Sequence, residues 1–322
     1  MGTLFGMCPF CLITEGDGGV TNQPRALRIP GDEKRAGLIL FAPAAIWWLL
    51  WFFYPTVRAL SLSFYNYSFV KPDASEFIGF ANYVRLFQDP AFYEALKHSF
   101  LMVAIIVPVQ SVMALGIALM LNANIRGKTF FRTVCYMPSN ISSLAVTVFF
   151  MYFFIKGGIG TRIFMLAGCD NVSWFANGKY ALMFIIIVYI WQQLGYYMVI
   201  YLSGLQGISS EIYEASRVDG ANTWQQITRI TIPLIKNTTY LVLMFGMINA
   251  FQLFDQIKAV SRQSPLGSPS GATSTLITFL YSNSFNYMEM GYGSAAAVVL
   301  FLIIFSLSLA REVIGRRKEE LA

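Results

Sequence analysis

The chain has 322 residues, of which 56% are hydrophobic and 12% charged. A soluble domain carries about 25% charged residues, so roughly half of that complement is missing, which excludes an ordinary soluble domain. The net charge of +6 calls for no nucleic-acid partner, because basic residues flanking membrane helices account for it.

Residues 1–35 read as a flexible N-terminal tail. They hold a Cys8-x-x-Cys11 pair. A zinc site needs two more ligands, and the single histidine, His98, lies beside an apolar run, so the pair reads as part of the tail. No basic segment precedes an apolar one there, so this is not a standard signal peptide. Six apolar runs follow, at about 36–60, 99–121, 131–154, 180–202, 239–260 and 293–310. Each is near the roughly 20 residues a bilayer requires. Lipid offers backbone polar groups no partner, and the runs are too long for barrel strands, so all six are expected to be helices. The third contains Pro138 and Asn140. Residues 311–322 read as a C-terminal tail. The expected architecture is an all-α membrane protein with a six-helix domain over 36–310.

Fourteen of the 23 basic residues fall on one side if both termini are cytoplasmic. That bias sets the expected orientation. Between the first two spans, Phe77 to Pro90 reads as an amphipathic piece at the outer headgroup level, rich in aromatics. The Ser264–Gly271 stretch is rich in turn residues and reads as an external loop.

The connector over about 205–236, between the fourth and fifth spans, is polar. Ser209 or Ser210 is placed to cap a first helix, with Glu211 and Glu214 favourable near its N-terminus. Gly220 suits a sharp bend. A second helix is expected from Asn222 or Thr223, ended by Pro233. Tyr213, Ala215, Ala221 and Ile227 are candidates to fill a partner's cleft, with Arg217, Asp219 and Arg229 at its rim. The segment Glu214-Ala215-Ser216-Arg217-Val218-Asp219-Gly220-Ala221, running on to Ile230-Thr231-Ile232-Pro233, resembles the cytoplasmic coupling loop of permease subunits of ATP-binding-cassette importers. The family pattern there is Glu-Ala-Ala, two residues, Asp-Gly-Ala, then an Ile-x-Leu-Pro ending. Ser216 stands for the second Ala and Ile232 for the Leu.

That resemblance implies the type I importer permease fold and assigns coupling to Glu214, Ala215, Ser216, Asp219, Gly220, Ala221 and Pro233. It also implies the partners: a second homologous permease, two ATPase subunits and an extracytoplasmic sugar-binding protein, in the inner membrane of a prokaryote. The chain has no G-x-x-x-x-G-K-[ST] phosphate loop, so it is expected to bind no cofactor and to do no bond chemistry. ATP and magnesium belong on the partner ATPases.

Polar residues inside spans are functional candidates. Tyr189, Gln192, Gln193 and Tyr196 share one face of the fourth span, and Asn249, Gln252 and Gln256 one face of the fifth. Amides and phenols of this kind suit sugar hydroxyls. They equally serve as hydrogen bonds between spans, and residue types alone leave both open. Phe77-x-Gly79-x-x-Asn82-Tyr83, Trp191 and Gly204-Leu205-Gln206-Gly207-Ile208 resemble the carbohydrate-uptake branch, the group holding the first membrane subunit of maltose, multiple-sugar and glycerol-phosphate importers. The resemblance spans about 36–318 and places sugar contacts at Tyr189, Gln192, Gln193, Tyr196, Gly246, Asn249, Ala250 and Leu253. Candidate faces without Lys or Arg favour a neutral sugar over glycerol phosphate. Asp255 is read as structural or gating, hydrated or paired with Lys258 one turn on. A proton- or sodium-coupled transporter using Asp255 is the rival from another class.

Overall fold

The computed structural model describes residues 32–70, 75–123, 126–261 and 265–320. The Cys8-x-x-Cys11 pair lies outside them. The chain divides into two units, Met1–Pro55 and Thr56–Ala322. The first holds α1 (Asp32–Trp48), which passes Pro43 and continues through a π-helical turn, Leu49–Phe53. Its large apolar side chains are exposed, among them Trp47 and Trp51, whose rings lie 5.5 Å apart. α2 (Tyr54–Leu62) contains the boundary between the units.

In the second unit, two short antiparallel strands, β1 (Tyr65–Asn66) and β2 (Glu76–Phe77), precede α3 (Ala81–Gln88). Then come α4 (Pro90–Asn122), α5 (Lys128–Tyr136), α6 (Ser143–Phe153), α7 (Ile159–Met165) and α8 (Ala181–Gln206). The connector holds α9 (Ser210–Val218), α10 (Thr223–Gln225) and α11 (Ile232–Leu234). α12 (Lys236–Phe251), α13 (Asp255–Ser261), α14 (Leu276–Tyr281) and α15 (Met290–Glu320) complete the chain.

Among the described residues, five helical stretches are long and apolar enough to cross a membrane: Gly37–Leu62, Pro90–Asn122, Ala181–Gln206, Lys236–Ser261 and Met290–Ala310. The expected third span differs. It is two helices, Lys128–Asn140 and Ser143–Phe153, bent by 100° at the break. Pro138 has no N–H to give the ladder and its ring crowds the preceding turn. The chain tightens into a 3-10 turn at Met137–Asn140, extends at Ile141 and starts again at Ser143. Counted as one span, the bent pair makes six. The fifth span is interrupted between Phe251 and Asp255. At the C-terminus the helix runs through Ala310 to Glu320, where a tail is expected from residue 311.

α8 is the central helix, with 56% of its apolar window buried, the largest share of any span. Its Phe184, Ile185 and Val188 pack with Met102 and Ile106 of α4, Val146 of α6 and Ile257 of α13. Toward its other end Tyr197, Met198 and Tyr201 pack with Ala114 and Ala118 of α4 and Val242 of α12. Lipid is as apolar as these side chains, so close fit holds the helices together more than exclusion from water does. Gly195 shows this: a Cβ there would overlap the Cys135 carbonyl, so the end of α5 lies directly on α8.

The Phe77-to-Pro90 piece is anchored by its polar residues. The Asn82 amide, buried, donates to the carbonyls of Ser63 (2.9 Å) and Tyr65 (3.0 Å). The Tyr83 hydroxyl lies 2.7 Å from Ser63 Oγ. Asp89 caps α4 by accepting from the Ala91 N–H (2.9 Å) and accepts from the Tyr292 hydroxyl (2.8 Å). Arg85 pairs with Glu289 (2.8 Å) and lies 4.2 Å over the Tyr292 ring.

Candidate substrate cavity and coupling loop

A cavity of about 290 Å³ is lined by Ser143, Tyr189, Gln193, Asn249, Gln252, Leu253, Phe254, Asp255 and Gln256. Five of the seven expected substrate positions therefore converge, from α8, the end of α12, the interruption after it and the start of α13. Asn249 and Gln252 are exposed, and Asn249 Nδ2 donates to the Tyr197 hydroxyl (3.1 Å). Gln192 and Tyr196 are not among the lining residues. Tyr196 stacks edge-on against Tyr197, with centroids 5.2 Å apart.

Gln192 lies behind the wall, 1% exposed. Its Nε2 donates to the Ile141 carbonyl (2.9 Å) and to Ser143 Oγ (3.2 Å), and its Oε1 accepts from Gln256 Nε2 (3.0 Å). An amide nitrogen has two N–H groups, so both are already used. Gln256 is 3% exposed and also reaches the cavity.

Asp255 opens α13 and is exposed. Among the described residues it forms no ion pair; the pairs there are Arg85–Glu289 and Lys179–Asp170. Of the two alternatives for Asp255, hydration or pairing with Lys258, the pairing does not form. Lys258 lies instead 5.6 Å from the ring centroids of both Phe254 and Tyr281. None of the lining residues is basic.

The connector is built from local chemistry. Ser209 caps α9, its hydroxyl accepting from the Glu211 N–H (3.3 Å). Gly220 follows in the left-handed region, φ +79°. Its N–H bonds the Arg217 carbonyl (3.1 Å), and the Ala221 N–H bonds the Ser216 carbonyl (2.9 Å). This is the paired closure that a left-handed residue after a helix permits. Asn222 and Gln225 then exchange side-chain-to-backbone bonds, both 2.9 Å, a capping box that starts α10. A π-helical stretch, Gln226–Thr231, leads into α11. Pro233 does not stop the helix at its own position; α11 includes it and ends one residue later.

The two halves of the loop are tied together. Buried Ser216 donates to the Tyr213 carbonyl (2.8 Å) and accepts from Gln226 Nε2 (3.0 Å). The Tyr213 and Thr231 hydroxyls lie 3.1 Å apart. Ser216 thus points into the loop, while Glu214, Ala215, Asp219 and Gly220 are exposed and Ala221 is half-buried. Three apolar residues that sequence reasoning passed over stand outward: Ile212, Val218 and Trp224, the last two 88% and 72% exposed. Large exposed side chains between polar caps were the available signal. The cavity adds two more omissions: Phe254, and Ser143, which is visible only once Pro138, Asn140 and Ser142 are taken as a break.

Residues 110–320 match the family described as the binding-protein-dependent transport system inner membrane component. A sulfoquinovosyl glycerol transport system permease from Agrobacterium fabrum is 34% identical, over 85% of this chain and 87% of that protein. A lactose transport system permease from Rhizobium radiobacter is 30% identical, over 88% and 95%. Among solved structures, a chain of a bacterial alginate ABC transporter, crystallised with its alginate-bound periplasmic protein, aligns with a TM-score of 0.76 at 24% identity, covering 90% of this chain and 98% of that one. The fold is therefore that of an ABC importer permease. The chain is a transport subunit rather than an enzyme, with the ATPase on separate subunits. It belongs to the binding-protein-dependent inner-membrane transport component family, as an integral permease of an ABC importer.

Proposed function

We propose that this permease carries a neutral sugar or oligosaccharide delivered by an external binding protein. The observation that carries the reading is the 290 Å³ cavity. Amides of Gln193, Asn249 and Gln252 and the Tyr189 phenol offer donors and acceptors for hydroxyl groups, and Phe254 offers a ring face. One carboxylate, Asp255, and no cation among the lining residues disfavour phosphate, sulfonate or uronate groups. Family membership does not favour the ion-coupled alternative.

In this reading both termini and the loop of Glu214, Ala215, Ser216, Asp219, Gly220, Ala221 and Pro233 face the cytoplasm. A second homologous permease completes the pathway. Two ATPase subunits, holding ATP and magnesium, grip one such loop on each permease, and Val218 and Trp224 enter the cleft alongside Ala215. Closure of the ATPases rocks the permeases between outward- and inward-open states, as rigid-body alternating access.

The test is ATP hydrolysis by the complete transporter in proteoliposomes with its binding protein. Lactose and other neutral oligosaccharides form one arm. Sulfoquinovosyl glycerol and alginate oligosaccharides form the acidic arm. A neutral sugar is expected to raise turnover several-fold. Stimulation by acidic saccharides alone, or by none, would sink the assignment.

A further inference from the structure

Two spans are interrupted, the third after Asn140 and the fifth after Phe251. A broken helix at membrane depth leaves carbonyls that lipid cannot satisfy, so protein must. Here the exposed carbonyl at the first break, that of Ile141, is satisfied by Gln192 of α8. Gln192 is in turn held by Gln256 of α13, which follows the second break. Three elements are linked by a continuous run of amide hydrogen bonds of 2.9 and 3.0 Å through side chains 1% and 3% exposed. Ser143, the first residue of α6, takes the second N–H of Gln192 and itself lines the cavity, as does Gln256.

We propose that the Gln256–Gln192 relay is a latch that makes the two breaks move as one body. Gln192 is then a positioning residue that holds the cavity wall, and it is not a ligand for the transported solute. Both N–H groups of Gln192 are committed. Breaking the bond to Gln256 would leave two buried amides short of a partner. The path from the loop is short: α12 begins directly after α11, ends at the second break, and α13 carries Gln256. Displacement of the loop therefore reaches the bend of the third span through the relay, beside the direct packing of Val146 on Ile257, with no need for α6 to touch the loop. The inference requires only that the chain is an ATP-driven permease; it does not depend on which solute is carried.

The experiment uses the complete transporter in nanodiscs, with the native cysteines replaced by serine. Spin labels go at Leu144 on α6 and Lys258 on α13, both exposed, and the distance is read by double electron–electron resonance, nucleotide-free and after trapping with magnesium-ATP and vanadate. Labels at Leu144 and at Glu211, an exposed loop residue outside the proposed cleft contacts, report whether the loop itself has moved. The latch predicts that the Leu144–Lys258 distance holds within about 2 Å between states, the size of ordinary helix shifts, while the Leu144–Glu211 distance changes. Gln192→Met and Gln256→Met are each expected to broaden the Leu144–Lys258 distribution to the same extent, and the double variant no further. Basal ATP turnover, with magnesium-ATP as the only ligand, should fall or rise by the same factor in both single variants. A wild-type separation changing by about one helical turn, ~5 Å, would overturn the latch without any variant being made. Unchanged distributions in both Met variants, or additive effects in the double, would overturn it as well.

Discussion

A methyl group at Gly195 would overlap the backbone of Cys135 and Tyr136. Overpacking of a tight contact costs about 1–3 kcal/mol, and here the obstacle is backbone that cannot swing away. Gly195→Ala is expected to lower the melting temperature of the purified transporter by several degrees. Gly116→Ala, where nothing lies within 4 Å, is the control; it should leave the value unchanged or raise it, since alanine favours helix by up to about 1 kcal/mol. Equal melting temperatures for the two variants would mean that α5 and α8 do not pack as closely as the geometry implies. Asn249 and Gln192 offer a second contrast. Asn249 is exposed to the cavity and Gln192 is not. Asn249→Ala should cut sugar-stimulated turnover about tenfold, the scale of one lost hydrogen bond to a ligand, and leave basal hydrolysis alone. A change in basal hydrolysis with stimulation preserved would place Asn249 outside the substrate path.

At the scale of elements, the loop and the broken third span differ in how far sequence reveals them. The loop is legible because its devices are local: Ser209, Gly220 and the Asn222/Gln225 pair act within three residues of themselves. Of its two departures from the family pattern, Ser216 is explained only by its partner Gln226, ten residues on. Ser216→Ala restores the common residue and leaves Gln226, which is only half-buried, free to meet water. Transport is expected to stay within about twofold of wild type, for a loss under about 1 kcal/mol. Gly220→Pro forces φ to about −65° where the loop needs +79°; the chain should insert normally, yet transport should be lost. Normal transport by that variant would remove the role given to the loop. The third span was expected to be continuous because hydropathy averages over about 19 residues and proline is tolerated inside membrane helices. What opens the bend is support from Gln192, about fifty residues away (51 to Ile141), and no local signal carries that. The same distance hid Ser143. Tyr189, Gln193, Asn249, Gln252 and Gln256, in contrast, were visible as polar stripes at helical spacing.

At the scale of the molecule, the N-terminal ends of α4 and α15 are clasped by Asp89, Arg85, Glu289 and Tyr292. The members of the clasp are unequal. Arg85 and Glu289 have side chains 57% and 42% exposed, so Arg85→Ala should cost less than about 1 kcal/mol. Asp89→Ala removes a helix cap and the Tyr292 bond together and should cost about 1–3 kcal/mol. Thermal denaturation of the two variants at low and high salt checks the order, and the smaller effect should be the salt-sensitive one. A reversed order would mean that the ion pair, rather than the cap, secures the junction.

The length of α4 gives that clasp its meaning. With 33 residues the helix is about 50 Å long, against a hydrocarbon layer of about 30 Å. Even tilted by about 40° it still overreaches the layer by several ångströms. One span of this permease is thus a mast taller than its hull. Its capped end carries the ionised groups of the clasp, and its shaft is fixed to the packed interior. Whatever presses on the clasp pushes directly on the helix that spans the bilayer.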